Sequence, residues 1–148
     1  MGLFDKILGG QPAEPVKLTP AEGVIGVILM AIAADGEITE EEQVGFLAIG
    51  NRMELLSELS SDQFTAILRK LQGVAKKEGA PALLAKAAAA LSPELRETAF
   101  ALAIDLVLAD GTVEDEEKAV AASLQAALQI SDDLAVKIVE VLAIKNRG

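Results

Sequence analysis

Cysteine, histidine, tryptophan and tyrosine are all missing from this 148-residue chain, and its aromatic content is limited to Phe4, Phe46, Phe64 and Phe100. Without cysteine there is no thiol nucleophile and no disulfide framework. Without histidine there is no imidazole to act as a general base near neutral pH. Zinc or copper sites built from thiolate and imidazole are excluded within the chain. The chemistry that remains belongs to carboxylates, lysine, arginine, hydroxyls and the backbone, so an enzyme is not expected. Base is also in short supply: 13 Lys and Arg stand against 23 Asp and Glu, a formal net charge of −10. Such a chain is repelled by phosphate backbones, and it lacks aromatic platforms on which bases stack. Nucleic acid is therefore not an expected partner.

Long apolar runs are lacking too. The most apolar uncharged run, Gly23–Ala34, is far short of the roughly 20 residues that span a bilayer. Met1–Leu8 carries Asp5 and Lys6, which fits neither a secretory leader nor the myristoylation pattern. An acidic balance of this kind fits cytoplasmic life and affinity for cations or basic surfaces. About half of the residues (51%) are apolar, enough for one buried core in a chain of one-domain length.

Residues 1–17 read as an arm and linker, and 18–148 as the domain. In the arm, Leu3, Phe4, Ile7 and Leu8 share one helical face, away from Asp5 and Lys6. Residues 9–15, Gly-Gly-Gln-Pro-Ala-Glu-Pro, are linker by composition. Beyond them the apolar residues follow the helical period, and no segment alternates as a strand would. Thr19-Pro20-Ala21-Glu22 opens a helix with a capping box. That helix extends to about Ala34 and is apolar nearly all round; Gly23 and Gly26 permit a close neighbour. A second helix, from Thr39 to about Met53, is expected to turn Val44, Leu47 and Ile49 inward. A third, capped by Ser60 or Ser61 and closed by Gly79, buries Phe64, Ile67, Leu68, Leu71 and Val74. An alanine-rich helix covers about 81–91, another runs from Ser92-Pro93-Glu94 to Ala109, and a sixth covers about 114–129. The last, capped by Ser131, turns Leu134, Ile138, Val141 and Leu142 inward. The expectation is all-α: about seven helices, with two duplicated helix–loop–helix units packed as one orthogonal bundle.

The net charge resides in two octapeptides. Residues 35–42, Asp-Gly-Glu-Ile-Thr-Glu-Glu-Glu, and 110–117, Asp-Gly-Thr-Val-Glu-Asp-Glu-Glu, hold five acids each and no base; the other 13 acids match the 13 bases. The two align residue for residue at an offset of 75, as an internal duplication does. Asp-Gly-x-(Ile/Val)-x-x-x-Glu matches the fifth, sixth, eighth and twelfth positions of an EF-hand loop. The first and third positions would be Ala31 and Ala33, or Leu106 and Leu108, which have no ligating side chain. Each loop is thus half a calcium site, and two half-sites that face each other would pool Asp35, Glu42, Asp110 and Glu117. Oxygen-only ligation selects Ca²⁺, Mg²⁺ or Mn²⁺.

The ordinary reading is helix-starting chemistry. Acids in the first turn suit the helix dipole, and Thr39 with Glu42 makes a capping box. The second copy weakens it, since Glu114 replaces the capping Thr while Asp110, Gly111, Val113 and Glu117 recur in register. A third reading is an acidic interaction adaptor that docks a partner or the membrane face without metal.

The paired Ala-Asp-Gly-x-(Ile/Val)-x-x-x-Glu, as Ala34–Glu42 and Ala109–Glu117, in an acidic helical chain, resembles the tellurite resistance protein TerB and its TerB-like relatives over roughly residues 18–148. The resemblance implies an all-helical fold and divalent-metal binding by acidic residues, here Asp35, Glu42, Asp110 and Glu117, with Glu41 and Glu116 beside them. It also implies a role in tellurite or metal stress and a TerC-like membrane protein as partner, with cytoplasmic or peripheral membrane location. With no cysteine, the chain does not detoxify tellurite by thiol reduction.

Overall fold

The computed structural model describes residues 17–32, the positions Val44, Phe46, Ala48, Gly50 and Arg52, and residues 53–108 and 115–147, the side chain of Glu116 excepted. Among the described residues there are seven helices and no strand. They are α1 (Pro20–Ile32), α2 (Glu54–Ser57), α3 (Ser61–Glu78), α4 (Ala80–Ala89), α5 (Pro93–Val107), α6 (Asp115–Leu128) and α7 (Asp132–Lys145).

Local chemistry sets most of the helix starts. At the head of α1 the Glu22 backbone N–H donates to Thr19 Oγ1 (3.2 Å) and the Thr19 N–H donates to Glu22 Oε1 (2.9 Å), the reciprocal box that the sequence predicts. Ser60 and Gln63 form a second box at α3. Ser92 and Ser131 each accept from the backbone N–H three residues on. Gly79 stands between α3 and α4 with φ of 94°, a backbone state that costs glycine little.

The burial pattern of α1 organises the rest. Every residue from Glu22 to Met30 is buried, and α3, α4, α5 and α6 all pack against this helix. Close approach to α4 depends on missing side chains. A Cβ on Gly23 would lie 2.9 Å from the Ala87 carbonyl oxygen, and one on Gly26 3.3 Å from Ala87 Cβ. Alanine thus serves α4 in two ways, through helix propensity and as a thin packing face.

The lone charge of α1 is neutralised from another helix. Lys70 on α3 donates from Nζ to both Glu22 carboxylate oxygens, at 3.0 and 2.8 Å. Glu22 is 7% exposed. Burial pushes its carboxyl up, but Lys70 and the hydrogen bonds from Thr19 outweigh this, and the net effect holds it below its ordinary value.

Helix α5 carries the chain to the second acidic segment. Arg96 ties its start to the ends of two neighbours, donating from Nε to the Ala88 carbonyl and from a guanidinium nitrogen to Gln129 Oε1, both at 3.0 Å. Near its other end, Asp105 accepts from Lys145 (3.1 Å) and from the Asn146 amide (2.8 Å). Since α5 meets the start of α7 around Arg96 and Leu134 and its end at Lys145, the two helices run side by side in the same direction. Helix α1, which leads to the first acidic segment, packs directly on α5.

Two inward assignments need correction. Val44 is 67% exposed, and Phe46 is buried instead, its ring set edge-on to Phe64 with centroids 5.3 Å apart. Two helical steps of 100° put Val44 nearly opposite Phe46. Leu47 and Ile49 lie outside the described residues. Val141 is 63% exposed, because α7 is peripheral: only Ala135 is fully buried, while Leu134, Ile138 and Leu142 are partly covered. Helix two ends at Met53, whose backbone is extended, and α2 follows as a separate single turn. Its start at Thr39, like the arm and most of the linker, lies outside the described residues.

Two tests follow from the packing of α1. Gly23→Ala meets a backbone carbonyl that cannot swing away, so overpacking of about 1–3 kcal/mol exceeds the helix-propensity gain of about 1 kcal/mol, and thermal melting should show a lower Tm. Gly73→Ala on α3, where an added Cβ meets nothing within 4 Å, should raise Tm. The Glu22–Lys70 pair makes stability pH-dependent. Because the folded carboxyl is held low, its contribution is complete above the ordinary glutamate range. It drains away as pH falls through the lowered folded value. Denaturant titrations should show this loss in the parent protein and a flatter acid limb in Glu22→Gln. Lys70→Ala should cost about 1–2 kcal/mol, less than orphaning a fully buried charge because Lys70 itself is 40% exposed.

Candidate functional site

The second acidic segment is framed by described structure on both sides. Helix α5 ends at Val107, Leu108 follows as a buried residue, and α6 begins at Asp115. Acids at the first turn of α6 face the positive end of the helix dipole, which favours them there whatever else they do. Asp115 projects fully into solvent with Lys118 at 3.8 Å, an exposed i,i+3 contact of little energetic weight.

Glu117 is placed differently. It is half-buried and lines a groove of about 400 Å³ between α5, α6 and α7. Phe100, Ile104, Val107 and Leu108 of α5 contribute to this groove, with Ala121 of α6 and Ala135, Val136 and Val139 of α7. Lys118, Gln125 and Glu140 are its other polar lining. Gln125 is engaged, donating to the Ile130 carbonyl (3.2 Å) and to Asp132 Oδ1 (2.7 Å). A carboxylate beside apolar surface is shielded from water on one side, which strengthens its attraction for a cation.

Of the six carboxylates singled out from the sequence, Glu117 is thus on the wall of the α5–α6–α7 groove and Glu116 belongs to α6. Asp35, Glu41, Glu42 and Asp110 lie outside the described residues. Among the described residues no three acids gather closely enough to hold an ion together. All six candidates are oxygen donors, the chemistry that hard divalent cations take.

Sequence reasoning missed two features of this region. It assigned Glu22 to a cap and did not foresee Lys70 as its partner 48 residues away. The available signal was that Glu22 is the one charge on an otherwise apolar helix, where an unpaired carboxylate would be costly. The groove beside Glu117 was also missed. It joins residues of three helices, and no local pattern marks it.

No helix among the described residues is long and apolar enough to cross a membrane. No curated protein and no solved structure matches the chain. The sequence model of the family described as "Tellurite resistance protein TerB" matches residues 21–138. The match begins on α1, ends within α7 and includes both acidic segments. With a match over most of its length, on an all-helical fold, this chain belongs to the TerB family.

Proposed function

We propose that this TerB domain is a non-enzymatic binder of divalent cations, acting in a tellurite or metal stress response. The observation that carries this reading is the distribution of charge. Ten acids without a base occupy residues 35–42 and 110–117 while the rest of the chain is neutral. Like charges at close range repel by about 1 kcal/mol per pair in water and about 4 at an effective dielectric of 20. A bound doubly charged ion relieves that repulsion. Asp35, Glu42, Asp110 and Glu117 are the ligand candidates, with Glu41 and Glu116 beside them. Family membership supports the reading, as does the position of Glu117 against the apolar wall of the α5–α6–α7 groove. Ca²⁺, Mg²⁺ or Mn²⁺ suits the all-oxygen donor set. The ion's role is to order and neutralise these segments, and a TerC-like membrane protein is the corresponding partner. The absence of histidine, cysteine and a phosphate-cradling glycine loop argues against turnover.

Isothermal calorimetry with each of the three cations tests this. Binding heat should appear with at least one, accompanied by about 2.7 kcal/mol of added stability at a hundredfold excess over Kd. Asp35→Asn with Asp110→Asn should abolish the heat while circular dichroism keeps its helical signal. Binding should also weaken on acidification, as protons compete for the carboxylates. The absence of heat and thermal shift with all three cations overturns the reading. If a basic partner is then captured in chelator and released by salt, the acidic segments serve docking instead.

A further inference from the structure

Helix α3 gives this acidic chain one basic face. From Gln63 to Lys77 it carries Arg69, Lys70, Lys76 and Lys77 and no acid. The bounding acids are Asp62, in the first turn, and Glu78, which is paired with Lys86. Ala66 and Gly73 are both exposed and lie on one line of the helix surface. Steps of three and four residues put Arg69 and Lys76 on one side of that line, Lys70 and Lys77 on the other. A Cβ on Gly73 would meet nothing within 4 Å, so the strip between the bases is open. Lys70 is committed to Glu22. Arg69, Lys76 and Lys77 are exposed and make no ion pair among the described residues. The helix dipole favours Lys76 and Lys77 in the last turn, but its effect has faded at Arg69, more than two turns from the end.

We propose that this face docks an acidic helix of a partner protein, which lies along the Ala66–Gly73 strip with carboxylates set against Arg69 and Lys76. Three observations favour this occupant. First, the free charges of the face are all positive, which selects an anionic partner. Second, small residues on the strip let a rod approach closely, so that long basic side chains on both flanks reach it. Third, Arg69 and Lys76 stand about 10 Å apart along the axis, the spacing of acids at i and i+7 on a facing helix. Arg69 in addition offers a planar fork to one carboxylate. An anionic bilayer suits the face less. The net charge of −10 opposes its approach, and no large apolar side chain is exposed on α3 to enter lipid. The proposal is independent of the cation reading, because the face includes none of the six carboxylates.

The test uses the isotope-labelled full chain in chelator, titrated with a synthetic alanine-based helical peptide bearing glutamates at i and i+7. Amide NMR shifts should saturate and map to residues 66–77. A control peptide of the same composition, its glutamates on opposite faces, should bind more weakly. Arg69→Glu with Lys76→Glu, both on exposed positions, should weaken binding by about tenfold or more while circular dichroism keeps its helical signal. Gly73→Gln should raise Tm through helix propensity and still weaken binding by filling the strip. A purely structural role for the glycine does not predict that combination. The proposal is overturned if the α3 amides do not shift, if the control peptide binds equally well, or if the variants bind like the parent. Binding of phosphatidylserine vesicles or a single-stranded oligonucleotide through the same α3 residues, in place of the peptide, would assign the face to a membrane or a nucleic acid and equally overturn it.

Discussion

A helix buried on all sides imposes the conditions that the rest of this molecule meets. From Glu22 to Met30 no residue of α1 faces solvent, so every neighbour must come close and the one charge must be matched. The first condition is met by removing side chains at the α4 contact, where Gly23 and Gly26 oppose Ala87. The second is met by Lys70, which reaches across from α3 to both oxygens of Glu22. The same carboxylate also caps the helix it belongs to. One side chain therefore starts α1 and joins it to α3, and losing it would disturb both.

Charge is divided by location as well as by sign. Within the described body, Glu22 pairs with Lys70, Glu78 with Lys86 and Asp105 with Lys145. The unbalanced acids are confined to residues 35–42 and 110–117. Helices α1 and α5, which lead to those two segments, pack directly against each other. Two helices that pack directly on each other therefore precede the two acidic segments, while Glu116 and Glu117 belong to α6.

The candidate site was legible in sequence as chemistry and spacing. Asp-Gly followed six residues later by Glu, present twice at an offset of 75, marks the residues without any coordinates. Both copies fall inside the TerB match over 21–138. Repetition within a chain is a signal that survives ignorance of its folding. What the pattern could not convey is the environment of each acid. Asp115 and Glu117 are two residues apart on the same helix, yet one is fully in solvent and the other lines an apolar groove. Only the packing of α5 and α7 around α6 separates them.

Several helix starts were determined by the sequence alone, because capping bonds act over three residues and apolar periodicity over one turn. Thr19, Ser60, Ser92 and Ser131 cap where local chemistry says they should, and Gly79 breaks the chain where a positive φ is needed. The tertiary structure decided which apolar side chains face inward at the margins. Val44 and Val141 are as hydrophobic as their buried neighbours but point to solvent, since burial depends on where the neighbouring helices lie as well as on periodicity. It also paired Glu22 with Lys70, and formed the groove beside Glu117 from residues distant along the chain. Contacts of this kind depend on the relative placement of whole helices, and the physics that sets that placement is the sum of all their packing.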